Sequence, residues 1–524
     1  MNDLSRLTSI NHFCITLALT SVLVACGGGS SGPISGDLTT NRPPASSSAI
    51  NSGWVAGSYK ESSEFDNRCA VPRTGFSQYT NQPFPDKKGT VLDEKNFLRS
   101  WSYETYLWYE ELPDLNPGSY GTPQAYFELL KTNKLTSSQT PKDNFHFWEP
   151  TEDAESSDAG ISYGYGIELK VYKTTPPREY FVAYVEPDSI AARNGVRRGA
   201  KIMTIDSVSL VEDTSSSGLD TLNEGLFPSK LNVKHVFEFK YEGSDIVDKV
   251  ELQSEKVETS PVLLTKVLKT ETGNVGYIVF NSHIEKAQDQ WVSAIQTLKQ
   301  SSVTDVILDL RYNGGGLLSI ASQIGYMLAG TNVQGKVFYE QILNKKQTKE
   351  DPFPFLNYGL YGNYKNLELP TLNLQRVYVL STGGTCSASE AIINGLRGSD
   401  VQVFLIGDTT CGKPYGFYPE ENCGTTYYMI QIKGANAKGF GEYSDGFIPS
   451  AQSNNETLIK GCRVQDDINS ELGDTSEAML STALSFRANG TCPGSVSKGA
   501  QKTRASFVDG EFLEDEIRKI TIIK

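Results

Sequence analysis

Apolar positions change their rhythm along the chain, and each change predicts a different kind of element. Between residues 93 and 111, Phe97, Leu98, Trp101, Leu107 and Trp108 stand among charged residues at helical spacing. That pattern predicts an amphipathic helix stopped by Pro113. Residues 123–131, with Pro123 near the start and Tyr126, Leu129 and Leu130 inside, predict a second helix, so a small helical N-terminal domain is expected. From residue 161 to about 253 the pattern becomes short alternating strands and turns. Beyond Val275 it changes again. Residues 275–280 form an apolar run, 287–298 an amphipathic helix, 303–310 a second apolar run and 320–328 another helix. This βαβ rhythm belongs to a sheet with helices packed on it.

Residues 376–416 repeat the rhythm and add chemistry. The run at 377–380 breaks at Ser381-Thr382-Gly383-Gly384-Thr385-Cys386, a helical pattern opens at Ser387-Ala388-Ser389-Glu390, and 401–406 reads as the next strand. A serine at a strand-to-helix turn sits at the positive end of a helix, with the following N–H able to face an oxyanion. Ser387 with Glu390 three residues on is also a capping box, which by itself only starts a helix. A serine hydroxyl needs a base. The stretch holds no histidine, but it holds Lys413, flanked by Tyr415, Phe417 and Tyr418. A lysine serves as a base near neutral pH only when desolvation disfavours its ammonium form. Upstream, Asp309-Leu310-Arg311-Tyr312-Asn313-Gly314-Gly315-Gly316 runs from a buried-type strand into a glycine turn whose N–H groups can approach a ligand closely. It has neither the ending of a phosphate loop nor the spaced glycines of a dinucleotide site.

Together these three segments resemble the C-terminal processing (tail-specific) serine proteases, whose pattern joins Asp-Leu-Arg-x-Asn-x-Gly-Gly, a Ser-Ala-Ser-Glu helix start and a later Gly-Lys. The resemblance implies Ser387 as nucleophile, Lys413 as general base, and Gly315 and Ala388 as oxyanion-hole N–H donors. Where many members carry a glutamine four residues after the lysine, this chain has Phe417. Residues 161–202 look like a PDZ domain. The Gly164-Tyr165-Gly166-Ile167 loop would then receive a terminal carboxylate, and the strand after it would pair with the peptide. The family's usual Gly-Asp is Gly199-Ala200 here. The resemblance covers roughly residues 93–484 and implies a multidomain α/β protein: a core related to crotonase and Clp protease, an inserted PDZ-like domain and a small helical N-terminal domain.

Composition bears on address and partners. The chain has 524 residues and a formal net charge of -14, with no basic cluster, so a nucleic-acid partner is not expected. Residues 13–25 are apolar, too few to span a membrane, and end in Leu23-Val24-Ala25-Cys26-Gly27. That ending looks like a bacterial lipobox, implying a lipidated Cys26 and anchorage in the outer membrane, facing the periplasm or the cell surface. Residues 27–53 are a Gly-, Ser-, Thr- and Pro-rich tether. Six cysteines follow Cys26, enough for three disulfides with 15 possible pairings. Short loops favour Cys411–Cys423 and Cys462–Cys492. Without CxxC spacing a zinc site is not expected, and His146, His235 and His283 read as surface or core residues.

The expected division is therefore a signal peptide over 1–26, a linker over 27–53, a helical domain over 54–155, a PDZ-like domain over 156–258, a protease core over 259–492 and a tail over 493–524. The activity implied is endopeptidase cleavage of exported protein tails or extended segments through a Ser387–Lys413 dyad and an acyl-enzyme, with no cofactor. The partners implied are proteins or peptides with accessible C-termini, and a membrane through the anchor. The competing readings are a non-catalytic PDZ-type peptide-binding lipoprotein and an apolar-ligand carrier on the same fold.

Overall fold

The computed structural model describes residues 53–136 and 138–493. At its centre lies a seven-stranded sheet. Its strand order is Val262–Thr270, Gly273–Phe280, Asp305–Asp309, Arg376–Ser381, Gln402–Gly407, Leu458–Arg463 and Ile448–Ser450. The first two strands form an antiparallel hairpin, and all other neighbours are parallel. The central strands are apolar at nearly every position because both sheet faces are covered. Ile278, Phe280, Val306, Leu308, Val377, Val379 and Leu405 pack with helices Ala287–Gln300, Leu318–Ala329 and Ala388–Gly398. The alternate residues Tyr277, Val279, Ile307, Tyr378, Leu380 and Ile406 pack against Met479, Leu480, Ala483 and Phe486 of helix Ala478–Asn489. Parallel strands all end on one edge of a sheet. The loops after Phe280, Asp309, Ser381 and Gly407 therefore share the same edge.

Residues 167–253 form an antiparallel domain of their own. The strands run in the order Val247–Gln253, Lys234–Lys240, Lys201–Ile205, Glu179–Val185 and Ile167–Lys173, with Val208–Ser209 paired to Lys201–Ile205. The alternation predicted from sequence is visible in Lys234–Lys240, where His235, Phe237 and Phe239 are buried and their neighbours are not. A two-stranded stem, Ile161–Gly164 with Glu255–Glu258, leads into and out of this domain. A buried ionic cluster sits where it meets the central sheet. The Arg311 guanidinium, 1% exposed, reaches Asp309, Asp466 (2.7 Å) and Glu477 (3.0 Å), while Arg198 of the antiparallel domain also holds Asp466 at 2.7 Å.

Two helices at the N-terminal end are shorter than the apolar spacing predicts. The first spans Val91–Thr105 and opens on a Thr90–Asp93 capping box. It stops before Tyr106, whose backbone turns extended while its ring is fully buried and its hydroxyl donates to Asp143 (2.6 Å). Tyr109–Glu111 is a separate 3₁₀ turn. The second helix covers only Pro123–Phe127, because the chain tightens into i→i+3 turns that bring Leu130 into the core. This region shares its core with the distant segment around Tyr427, Met429 and Ile430. Its strand Phe147–Pro150 pairs with Thr425–Tyr428.

The cysteine pairs are Cys69–Cys423, Cys386–Cys411 and Cys462–Cys492, with Cα–Cα distances of 5.3, 5.2 and 5.6 Å. The expected Cys411–Cys423 bond is not formed. Nearness in sequence misled there. Cys411 lies at the sheet edge beside Cys386, whereas Cys423 caps the hairpin that meets the N-terminal region. Cys26, nearly all of the 27–53 linker and nearly all of the 493–524 tail lie outside the described residues. No helix among the described residues is long and apolar enough to cross a membrane.

Candidate active site

Ser387 stands at the N-terminus of helix Ala388–Gly398, at the edge where the parallel strands end. Its backbone is at φ 53°, ψ −111°, a conformation that a residue with a side chain adopts only when its surroundings impose it. Those surroundings are identifiable. Cys386 N–H donates to Asn313 O (3.0 Å), Ser389 Oγ to the same carbonyl (3.0 Å), and Thr385 Oγ1 to Leu310 O (2.8 Å). The serine turn is thus fastened onto the glycine turn after strand Asp305–Asp309.

Gly315 packs directly against the serine. A Cβ there would stand 2.8 Å from Ser387 Cβ and 3.0 Å from Ala388 N, and its φ is +113°, so only glycine fits. The Gly315 N–H donates to Asn313 Oδ1 at 2.9 Å. The Ala388 and Gly316 N–H groups make no hydrogen bond among the described residues. His283, fully buried, braces this turn. Its Nδ1 lies 3.0 Å from both Asn313 Oδ1 and Gly315 O, which are acceptors, so Nδ1 carries the proton. Burial lowers its pKa to about 4, so the ring is neutral.

Lys413 arrives on the loop after strand Gln402–Gly407, and one side chain ties that loop to the serine turn. Glu390, completely buried, accepts from Ser387 N–H (3.1 Å), Gly412 N–H (2.9 Å), Lys413 N–H (2.8 Å) and Thr410 Oγ1 (2.5 Å). Burial pushes its carboxyl up to about 7, against the pull of these donors. Cys386 and Cys411 join the same two segments covalently. The Nζ of Lys413 lies 4.1 Å from the centre of the Phe417 ring and 5.1 Å from that of Phe145. Of the three aromatic neighbours expected from sequence, Tyr418 is 45% exposed and turns its hydroxyl to Gln341. Phe145, from the N-terminal region, covers the lysine instead. Nothing in local sequence pointed to it. Glu390 was visible only as half of a capping box.

One cleft of about 1880 Å³ gathers these groups. It is lined by Ser387, Ala388, Gly315 and Lys413 on one side and by Gly164, Tyr165, Gly166 and Ile167 at the start of the antiparallel domain on the other. Within that second set the residues differ. The Tyr165 ring turns into the domain core, 5.2 Å from Phe237. Gly166, at φ +75°, lies so close to Ser189 that a Cβ would come within 2.3 Å of that residue's Cβ. Gly164 faces open space, and Ile167 begins strand Ile167–Lys173, which is the edge strand of its sheet.

Comparison with known proteins places these elements. Residues 274–416 match peptidase family S41, and residues 93–145 match the S41 N-terminal domain. Among curated proteins, the chain is similar to the chloroplastic C-terminal processing peptidase of Tetradesmus obliquus, with 27% identity over 51% of this chain and 55% of that protein. It is also similar to a carboxyl-terminal-processing protease of a Picosynechococcus strain, with 24% identity over 49% of this chain and 56% of that protein. The carboxy-terminal processing protease CtpA of Bacillus subtilis is 26% identical over 67% of this chain and 70% of its own length. The chain spans about half the length of the first two of these relatives. Among solved structures, a putative S41 protease from Bacteroides fragilis shares the fold, with a TM-score of 0.59 at 21% identity, covering 75% of this chain and 97% of that one.

Proposed function

We propose that this chain, whose residues 274–416 match peptidase family S41 and 93–145 the S41 N-terminal domain, is a serine endopeptidase of the C-terminal processing type acting through a Ser387–Lys413 dyad. The observation that carries this reading is Glu390. One buried carboxylate accepts from the backbone N–H of both the serine and the lysine, and both residues line the same cleft.

The chemistry follows from that placement. Lys413, in its neutral form, takes the Ser387 hydroxyl proton as Oγ attacks the scissile carbonyl. The oxyanion is met by Ala388 N–H and by Gly315 N–H, which in the free protein donates to Asn313 Oδ1. Collapse of the tetrahedral intermediate expels the amine, which leaves with the proton from Lys413, and an ester on Ser387 remains. Water, deprotonated by Lys413, then attacks the ester and frees the acid product and the serine. The Gly164–Ile167 loop and the edge strand after it act as a PDZ-like seat for a substrate's C-terminal segment. Lipidation of Cys26 holds the enzyme at the membrane of the exported compartment.

The test is casein digestion by four proteins. Wild type should digest it, and Ser387→Ala and Lys413→Ala should not. Lys413→Arg should be as inactive as Lys413→Ala, because a guanidinium stays protonated and cannot accept the serine proton. Substantial activity in Lys413→Arg would remove the dyad. An inactive wild type that still binds peptides would leave a binding protein.

A further inference from the structure

Besides Glu390, one covalent bond joins the serine turn to the lysine loop. Cys386 immediately precedes Ser387, Cys411 stands two residues before Lys413, and the two are bonded across a sequence separation of 25. Without that bond, the two segments hold each other through Cys411 N–H to Thr385 O (3.1 Å), Asp408 N–H to Ser381 O (2.8 Å), Ser381 Oγ to Asp408 O (2.7 Å) and the Thr410, Gly412 and Lys413 donors that converge on Glu390. That hydrogen-bonded tie rests in part on a carboxylate whose charged form burial disfavours, whereas the sulfur bond does not depend on protonation. The serine backbone also sits in a conformation that its surroundings must impose.

We propose that the Cys386–Cys411 pair is a positioning crosslink for the hydrolytic reaction: it keeps Ser387 and Lys413 in register, and a dithiol that opens it switches hydrolysis off while the fold persists. This rests on the dyad assigned above. The fold persists because the central sheet, its helices and the other two disulfides do not pass through this bond. Access is through the substrate cleft. Cys386 lines it, whereas Cys69, Cys423, Cys462 and Cys492 do not. Cys386 is 6% exposed at the cleft wall, so attack by a small reductant comes at that sulfur and a bound substrate shields it. In the opening step, a thiolate of the dithiol attacks the Cys386 sulfur, the S–S bond breaks and Cys411 leaves as a thiolate that takes up a proton. The second thiol of the reagent then displaces Cys386. Two electrons and two protons pass to the protein, and the reagent departs as its own disulfide.

The experiment uses the full-length protein with dithiothreitol as the probe, mass spectrometry of alkylated cysteines to show which bonds are open, and peptide hydrolysis with amide hydrogen exchange as readouts. Opening Cys386–Cys411 should lower kcat at least tenfold with KM within about twofold, and should speed exchange in residues 383–388 and 408–413 together. The paired substitution Cys386→Ala with Cys411→Ala should show the low kcat from the outset, keep a cooperative thermal unfolding transition and ignore dithiothreitol. Removing Cys69–Cys423 or Cys462–Cys492 in the same way should leave the response to dithiothreitol intact, and substrate present during treatment should slow the opening. An unchanged kcat, or unchanged exchange in those two segments, with the bond shown to be open overturns the proposal. If the oxidised wild type hydrolyses nothing, the dyad reading falls, and the exchange arm still decides whether the bond holds the two segments together.

Discussion

Glu390 makes the site sensitive to acid in a direction that can be worked out. Its carboxyl rises from an ordinary value of 4.5 to about 7 because it is wholly buried. A raised value means that the folded state holds the proton more tightly than the unfolded chain does. The stability from this group is therefore complete below about pH 4.5 and is lost as pH climbs through 7, a change of about 3 kcal/mol. Glu390→Gln removes that titration. Urea unfolding at pH 4.5 and at pH 8 should show the gap between variant and wild type moving by about 3 kcal/mol in the variant's favour at the higher pH. Its activity should move the other way. The amide offers fewer acceptor lone pairs to Ser387, Gly412 and Lys413 N–H, so kcat falls at both pH values; a Glu390→Gln enzyme as active as wild type would deny the carboxylate its tethering role. At this scale the sequence was legible where chemistry shows as local spacing: Ser387 at a helix start, Lys413 after a strand, Gly315 in a glycine run. Phe145 and His283 were not legible, because each acts through a neighbour that only folding supplies.

At the scale of elements, the central strands were readable because burial on both faces leaves them apolar at nearly every position. The N-terminal helix was overextended because Leu107 and Trp108 keep helical spacing, while the Tyr106 hydroxyl finds Asp143 only if the helix ends first. The same distinction governs how the Gly164–Ile167 loop should be tested. Substitution at Gly166 collides with Ser189 and disturbs the start of helix Ile190–Arg193, so it reports on folding. Ile167 is half-buried at the head of an edge strand and lines the cleft. Ile167→Glu should repel an incoming terminal carboxylate. KM for a protein with a free C-terminal tail should rise at least fivefold, with kcat for a short amidated peptide unchanged. Equal losses on both substrates would assign this domain to assembly of the active site instead of to tail capture.

For the whole molecule, the succession of helical, antiparallel and βαβ segments could be read along the chain, since each has its own apolar period. Contacts between distant segments could not, as the Cys69–Cys423 bond shows. The proposed lipobox at Cys26 gives a test at this scale. Cys26→Ser should move the protein from the membrane pellet to the supernatant, with the melting profile of the 53–493 region unchanged; continued sedimentation with membranes would end the anchoring proposal. The pairing of Phe147–Pro150 with Thr425–Tyr428 also bears on the order of synthesis. The ribosome releases residues 145–150 long before the strand that seats them exists, and the ring over Lys413 comes from that early segment. A chain interrupted before Thr425 has its serine and its lysine but lacks the partner strand that holds Phe145 in place. The surroundings of Lys413 are therefore completed only after Tyr428 has been made, later than both residues of the proposed dyad.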